Sequence, residues 1–327
     1  MNIEKYLTNA IKTTLVLLVI LLPLYFDKSL VGIYDISKAT VLWIGAVFIL
    51  GCWVSLVSFG KGSLPKTILS FSLLAWVIVN ILATIFSESF LISIFGFYKR
   101  YNGLLTHLSY AIIALSLATF GDKEFLKKII KIAIAIGTIS AIYGIMQYSG
   151  TDYFFPERPG GGRVISFMGN PIFSSGYLIM TLFLALGFYF YSKGLWVWIY
   201  GFAFSITYIS FFMMQTRGTF LGFALSYLLF LIGFFLLSLL RKDEAKKKAK
   251  RFYISLIIIV LITISSNLSS GSTLGRFAKE FLLQKPKVKN EEIETNLTEK
   301  KVEIKGSAKV RLCIWKDIGR NLLKKPL

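Results

Sequence analysis

Apolar residues in this chain gather into nine long runs separated by short polar connectors. The runs cover 11–26, 39–59, 67–86, 104–120, 129–148, 171–191, 195–214, 218–240 and 252–268. A helix needs roughly 20 apolar residues to cross the hydrocarbon of a bilayer, so each run predicts a membrane-spanning helix. The pattern changes after residue 268. Residues 285–305 alternate lysine with glutamate and hold few apolar positions, which reads as a strap or exposed helix. Beyond it Val310, Ile314, Ile318 and Leu322 recur every four residues, predicting an amphipathic helix over 308–323.

The expected fold class is therefore all-α, a polytopic membrane helix bundle over residues 1–268. Residues 269–327 are expected to begin a large soluble extracytoplasmic loop. The apolar face of its helix has no partner before Leu327, so further chain is expected beyond that point. The first run follows Lys5 and Lys12 as a secretory signal would, yet no small-residue cleavage site comes after it. It is read as a retained helix.

Composition agrees with this reading. Hydrophobic residues make up 55% of the chain and charged residues 17%, which excludes an ordinary soluble fold. The net charge of +20 is concentrated in alternate connectors. Lys61 and Lys66, Lys123, Lys127, Lys128 and Lys131, Lys193, and the basic run 241–251 all fall in the even-numbered ones. The positive-inside rule then puts the N-terminus in the cytoplasm, with the chain crossing the membrane several times. Nucleic acid is not an expected partner, whereas membrane lipid is. Cys52 lies in a span and Cys313 in the terminal segment, so they suggest no disulfide framework. No cluster of cysteine and histidine suggests a metal, and no cofactor is expected.

The outer connectors carry few cations: Lys28, Lys38, Lys99, Arg100, Arg158, Arg163 and Arg217. Arg100, Arg163 and Arg217 each stand before an outward-starting span. Helix starts offer free N–H groups and a positive dipole end, and a guanidinium adds a planar fork suited to phosphate. Arg163 and Arg217 are accordingly the candidate catalytic residues. Arg100 and Arg158 are candidate substrate-binding residues, as are Gly169 and Asn170, which close a glycine-rich connector ahead of Pro171. Plain helix capping explains Gly169, Asn170 and Pro171 equally well. The connector lacks the Gly-Lys-Ser/Thr ending of a nucleotide loop. Glu88 and Asp152 are the best-placed outer carboxylates, and both are expected to be solvated. His107, the only histidine, falls about one turn inside the fourth span and reads as a hydrogen-bonded helix residue.

The segment Arg163-Val164-Ile165-Ser166-Phe167-Met168-Gly169-Asn170-Pro171, followed by Gly176-Tyr177-Leu178, resembles a motif of the O-antigen ligase and polymerase superfamily of bacterial envelope glycan enzymes. So does Gln215-Thr216-Arg217-Gly218-Thr219-Phe220-Leu221-Gly222, and so do Arg311 and Trp315 in the terminal helix. The resemblance spans roughly residues 97–327. It implies a metal-independent multi-span glycosyltransferase whose donor is a glycan on a polyprenyl diphosphate carrier. The acceptor would be a glycan, lipid or protein hydroxyl. By this resemblance Arg163 and Arg217 would bind the diphosphate, Arg311 would contact substrate, and the acting histidine would lie beyond Leu327. A transporter or flippase of an anionic lipid-linked glycan would also use many helices and outer arginines. The spans, however, lack paired buried carboxylates for ion coupling and show no inverted repeat. A structural subunit without chemistry would leave the outer arginines unexplained.

Overall fold

A computed structural model describes residues 3–156, 160, 162–240 and 242–268. Arg158, Arg311 and the expected strap and amphipathic helix after residue 268 lie outside the described residues. Ten α-helices follow one another: α1 (Ile3–Leu24), α2 (Asp35–Ser58), α3 (Ile68–Ile85), α4 (Phe90–Phe95), α5 (Leu104–Phe120), α6 (Lys123–Tyr148), α7 (Pro171–Tyr191), α8 (Leu195–Met213), α9 (Arg217–Leu240) and α10 (Lys242–Leu268). A 3-10 turn, Ser166–Met168, precedes α7. Among the described residues the fold is an all-α bundle, as the apolar runs predict. Seven helices are long and apolar enough to cross a membrane, so this is a multi-pass membrane protein. Of the other two predicted spans, α5 is a shorter apolar helix and α10 begins inside the basic run.

Polar flanks extend several helices past their apolar runs. Asp122 accepts a hydrogen bond from Phe125 N at 2.9 Å, so α6 starts six residues before its predicted span. Residues 242–251, expected as a connector, form the first turns of α10. Lysine, alanine and glutamate are all good helix formers, and hydropathy alone does not register them. Pro23 lies in the last turn of α1, where Lys38 Nζ caps the free carbonyls of Leu22 (2.6 Å) and Pro23 (3.2 Å). The short α4 was not visible as a separate element, because its six residues are too few to show a period.

Two buried clusters organise the bundle, and α6 contributes to both. Leu15 and Leu18 of α1, Ile49 and Trp53 of α2, Leu115 of α5 and Phe125 of α6 form one. Ile134 and Ala141 of α6 join Leu182 of α7, Tyr208 of α8 and Phe223 of α9 in the other. Lipid is as apolar as leucine, so helices in a membrane associate through close packing and hydrogen bonds rather than apolar burial. Gly137 of α6 provides such a contact, since a Cβ there would stand 2.3 Å from the Thr181 side chain on α7. In α7 and α8, 44% of the apolar window is buried, against 11% in α3 and α9. Among the described residues the first pair is central, and the second is largely exposed.

The connectors separate by parity. At one end, the Phe26 ring meets those of Phe154 (5.1 Å) and Phe167 (6.1 Å), joining the 25–34 and 149–170 connectors. At the other, Lys12 pairs with Asp122 at 2.5 Å and Lys61 with Glu4 at 3.6 Å. There too Arg251 Nη1 donates to the carbonyls of Tyr189, Phe190 and Ser192 at 3.0, 3.0 and 2.8 Å. The Lys12 ammonium, hydrogen-bonded to the Asp122 carboxyl, holds it below the usual carboxylate range.

Candidate anion site at the arginine end of the bundle

The backbone brings Arg163 beside the turn that precedes Arg217. Val164 is 2% exposed and packed into the central cluster, which leaves the neighbouring Arg163 exposed at the bundle surface. Its Nε donates to the carbonyl of Met214 in a long hydrogen bond of 3.4 Å. Met214 is fully buried and anchors a tight turn from α8 into α9, in which Gln215 takes a positive φ of 50°. The turn delivers Arg217, exposed, as the first residue of α9. The α9 helix thus starts one residue earlier than the predicted span. Free N–H groups, a helix dipole end and a guanidinium coincide there. Arg163 stands eight residues ahead of α7 and reaches toward the start of α9 through the Met214 carbonyl.

The connector holding Arg163 is fastened from beneath by a buried polar network. Asp152 is 3% exposed, and its carboxylate accepts from Tyr143 Oη at 2.6 Å, Gln147 Nε2 at 3.0 Å, and the amides of Phe154 and Phe155 at 3.1 Å each. Gln147 Oε1 accepts in turn from Ser166 N at 2.8 Å. Ser166 Oγ donates to the Ser140 carbonyl at 2.7 Å. Ser166 has a φ of 47°, unusual for a residue other than glycine, and these bonds hold it there. The expectation that Asp152 is solvated is overturned. With at least four donors aimed at it, burial costs the carboxylate little of the hydrogen bonding that water would supply. Tyr143, Gln147 and Asp152 were missed as a site-building group, although Ser140, Tyr143 and Gln147 follow helical spacing on one face of α6.

Gly169 and Asn170 both have local structural tasks. Gly169 takes a φ of 71°, and a Cβ there would lie 2.3 Å from the Tyr34 ring. Asn170 Oδ1 accepts from Ile172 N at 2.8 Å and caps α7, with Pro171 as its first residue. Arg100 is exposed in a separate loop whose neck is closed where Gly96 and Gly103 meet backbone to backbone. Thr106 Oγ1 fixes that loop by donating to the Tyr101 carbonyl at 2.6 Å, and Trp43 Nε1 donates to the same hydroxyl at 3.0 Å. Lys99, beside Arg100, interacts electrostatically with Asp35 at the start of α2. His107 lies edge-on to Trp76 at 5.1 Å, and its buried Nδ1 has no hydrogen-bond partner. Among the described residues no three His, Cys, Asp or Glu side chains gather as a metal site would require.

Fold and geometry together define a multi-pass α-helical membrane protein with Arg163 and Arg217 among the exposed residues at one end of its bundle. Compared with known proteins, the chain matches no family model, no curated protein and no solved structure.

Proposed function

We propose that this protein transfers a glycan from a polyprenyl diphosphate carrier to an acceptor hydroxyl at the outer face of the bacterial cytoplasmic membrane. The N-terminus is then cytoplasmic, and the Arg163–Arg217 end faces outward. The observation that supports the reading is the bond from Arg163 to the Met214 carbonyl, three residues before the exposed Arg217 that begins α9. In this reaction an acceptor oxygen forms a bond to the anomeric carbon while the bond from that carbon to the diphosphate oxygen breaks. The hydroxyl proton leaves to a base, and negative charge builds on the departing diphosphate. Arg163 and Arg217 hold that diphosphate and stabilise the charge as it develops, aided by the amides at the start of α9. The acceptor is a glycan, lipid or protein hydroxyl. Arg100 is a further substrate-binding candidate, while Gly169 and Asn170 shape the connector ahead of α7.

Arginine matters here for its fork as well as its charge, so Arg217→Lys distinguishes the two. In membranes supplied with a polyprenyl diphosphate glycan, this variant of the native-length protein should transfer on the order of 10²–10³ times more slowly. A rate near that of the unmodified protein would leave Arg217 with only a headgroup-anchoring role.

A further inference from the structure

At the opposite end of the bundle, the start of α1, the end of α2, the end of α5 and the 59–67 connector surround an open cleft of about 400 Å³. Its rim is polar and carries both signs of charge, with Glu4 and Thr8 on one side and Lys61 and Ser63 on the other. Its floor is Leu56 and Phe120. The position of Lys61 is fixed from below. Trp53 Nε1 donates to the adjacent Gly62 carbonyl at 2.7 Å, and the Trp53 ring packs edge-on against Phe120 at 5.5 Å. Val57 and Phe59, close in the chain to the cleft-lining Leu56 and Lys61, are 55% and 63% exposed, so apolar surface is available close to the cleft.

The two charges face one another across the rim at 3.6 Å, longer than a charge-assisted hydrogen bond of roughly 2.7–2.9 Å. Both side chains remain more than half exposed, at 57% and 53%. Such a pair gains little from its own contact and is readily split by a ligand carrying both complementary charges. A cleft at helix-end depth, apolar below and charged above, matches a phospholipid headgroup entering from the surrounding leaflet. An anionic headgroup would meet Glu4 unfavourably. A quaternary ammonium has no N–H to donate to a carboxylate, whereas a primary ammonium has three.

We propose that this cleft seats the headgroup of a zwitterionic phospholipid with a primary ammonium, its phosphate against Lys61 and its ammonium against Glu4. The site is independent of the transfer reaction, and its failure or success leaves that reading untouched. It is tested by native mass spectrometry of the detergent-solubilised chain titrated with phosphatidylethanolamine, phosphatidylcholine or phosphatidylglycerol of identical acyl chains. The native protein should retain phosphatidylethanolamine about tenfold better than the other two, the worth of one charge-assisted bond. Glu4→Gln should remove that preference and raise retention of phosphatidylglycerol, while Lys61→Gln should weaken retention of all three. Equal retention of the three lipids by the native chain, or an unchanged preference in Glu4→Gln, would overturn the proposal.

Discussion

Asp152 shows how a single side chain takes its meaning from neighbours that sequence does not bring together. In the chain it stands in a polar outer connector, where a carboxylate is expected to meet water. In the structure it is the buried hub on which Tyr143, Gln147 and two loop amides converge. Asp152→Ala strands those donors, and a buried donor left unpaired costs about 1–3 kcal/mol. The variant should therefore lose about 3 kcal/mol or more, read as a lowered thermal unfolding midpoint in detergent. Asp152→Asn, which keeps acceptor oxygen, should lose less. An unchanged midpoint for Asp152→Ala would mean that the network does not hold the Arg163 connector. Arg163 and Arg217 stand out in the sequence because arginine is set apart from the lysines and opposes the positive-inside bias, and the structure leaves both exposed. The polar face of α6 was harder to see, since Ser140, Tyr143 and Gln147 sit within an apolar run whose hydropathy masks three polar positions.

Among the elements, all nine apolar runs became helices, since the requirement to satisfy every backbone group in lipid leaves little alternative. Their ends moved where capping and charged helix formers extended them, as at Asp122 and in the first turns of α10. Helix contacts were less legible, because apolar side chains face lipid and protein alike. Small residues are the better guide. Gly137→Leu would force α6 away from Thr181 on α7, and overpacking of this kind costs about 1–3 kcal/mol. Gly51→Leu on α2 is the matched control, since nothing lies within 4 Å of a Cβ there. Only the first variant should lower the unfolding midpoint and the yield of monodisperse protein. Equal effects of the two would remove close packing as the basis of the α6–α7 contact.

For the whole molecule, the parity of the connectors is a property of the fold, whereas its direction across the membrane comes from lysine placement. In a background with Cys52→Ser and Cys313→Ser, a cysteine replacing Asn290 should react with an impermeant thiol reagent in intact cells. One replacing Lys246 should react only after permeabilisation. The reverse pattern would turn the Arg163–Arg217 end toward the cytoplasm and remove the basis for transfer at the outer face.

The central claim is that Arg163 and Arg217 grip one diphosphate, and a double-mutant cycle on binding tests it most directly. The purified chain is titrated with polyprenyl diphosphate in nanodiscs, with Arg163→Lys, Arg217→Lys and both together. A charge-assisted hydrogen bond contributes about 1.5–3 kcal/mol, so each single change should weaken binding by about tenfold or more. The double change should cost clearly less than the sum, because groups sharing one ligand couple. Unaltered affinity in the single variants, or strictly additive losses, would contradict a shared diphosphate site.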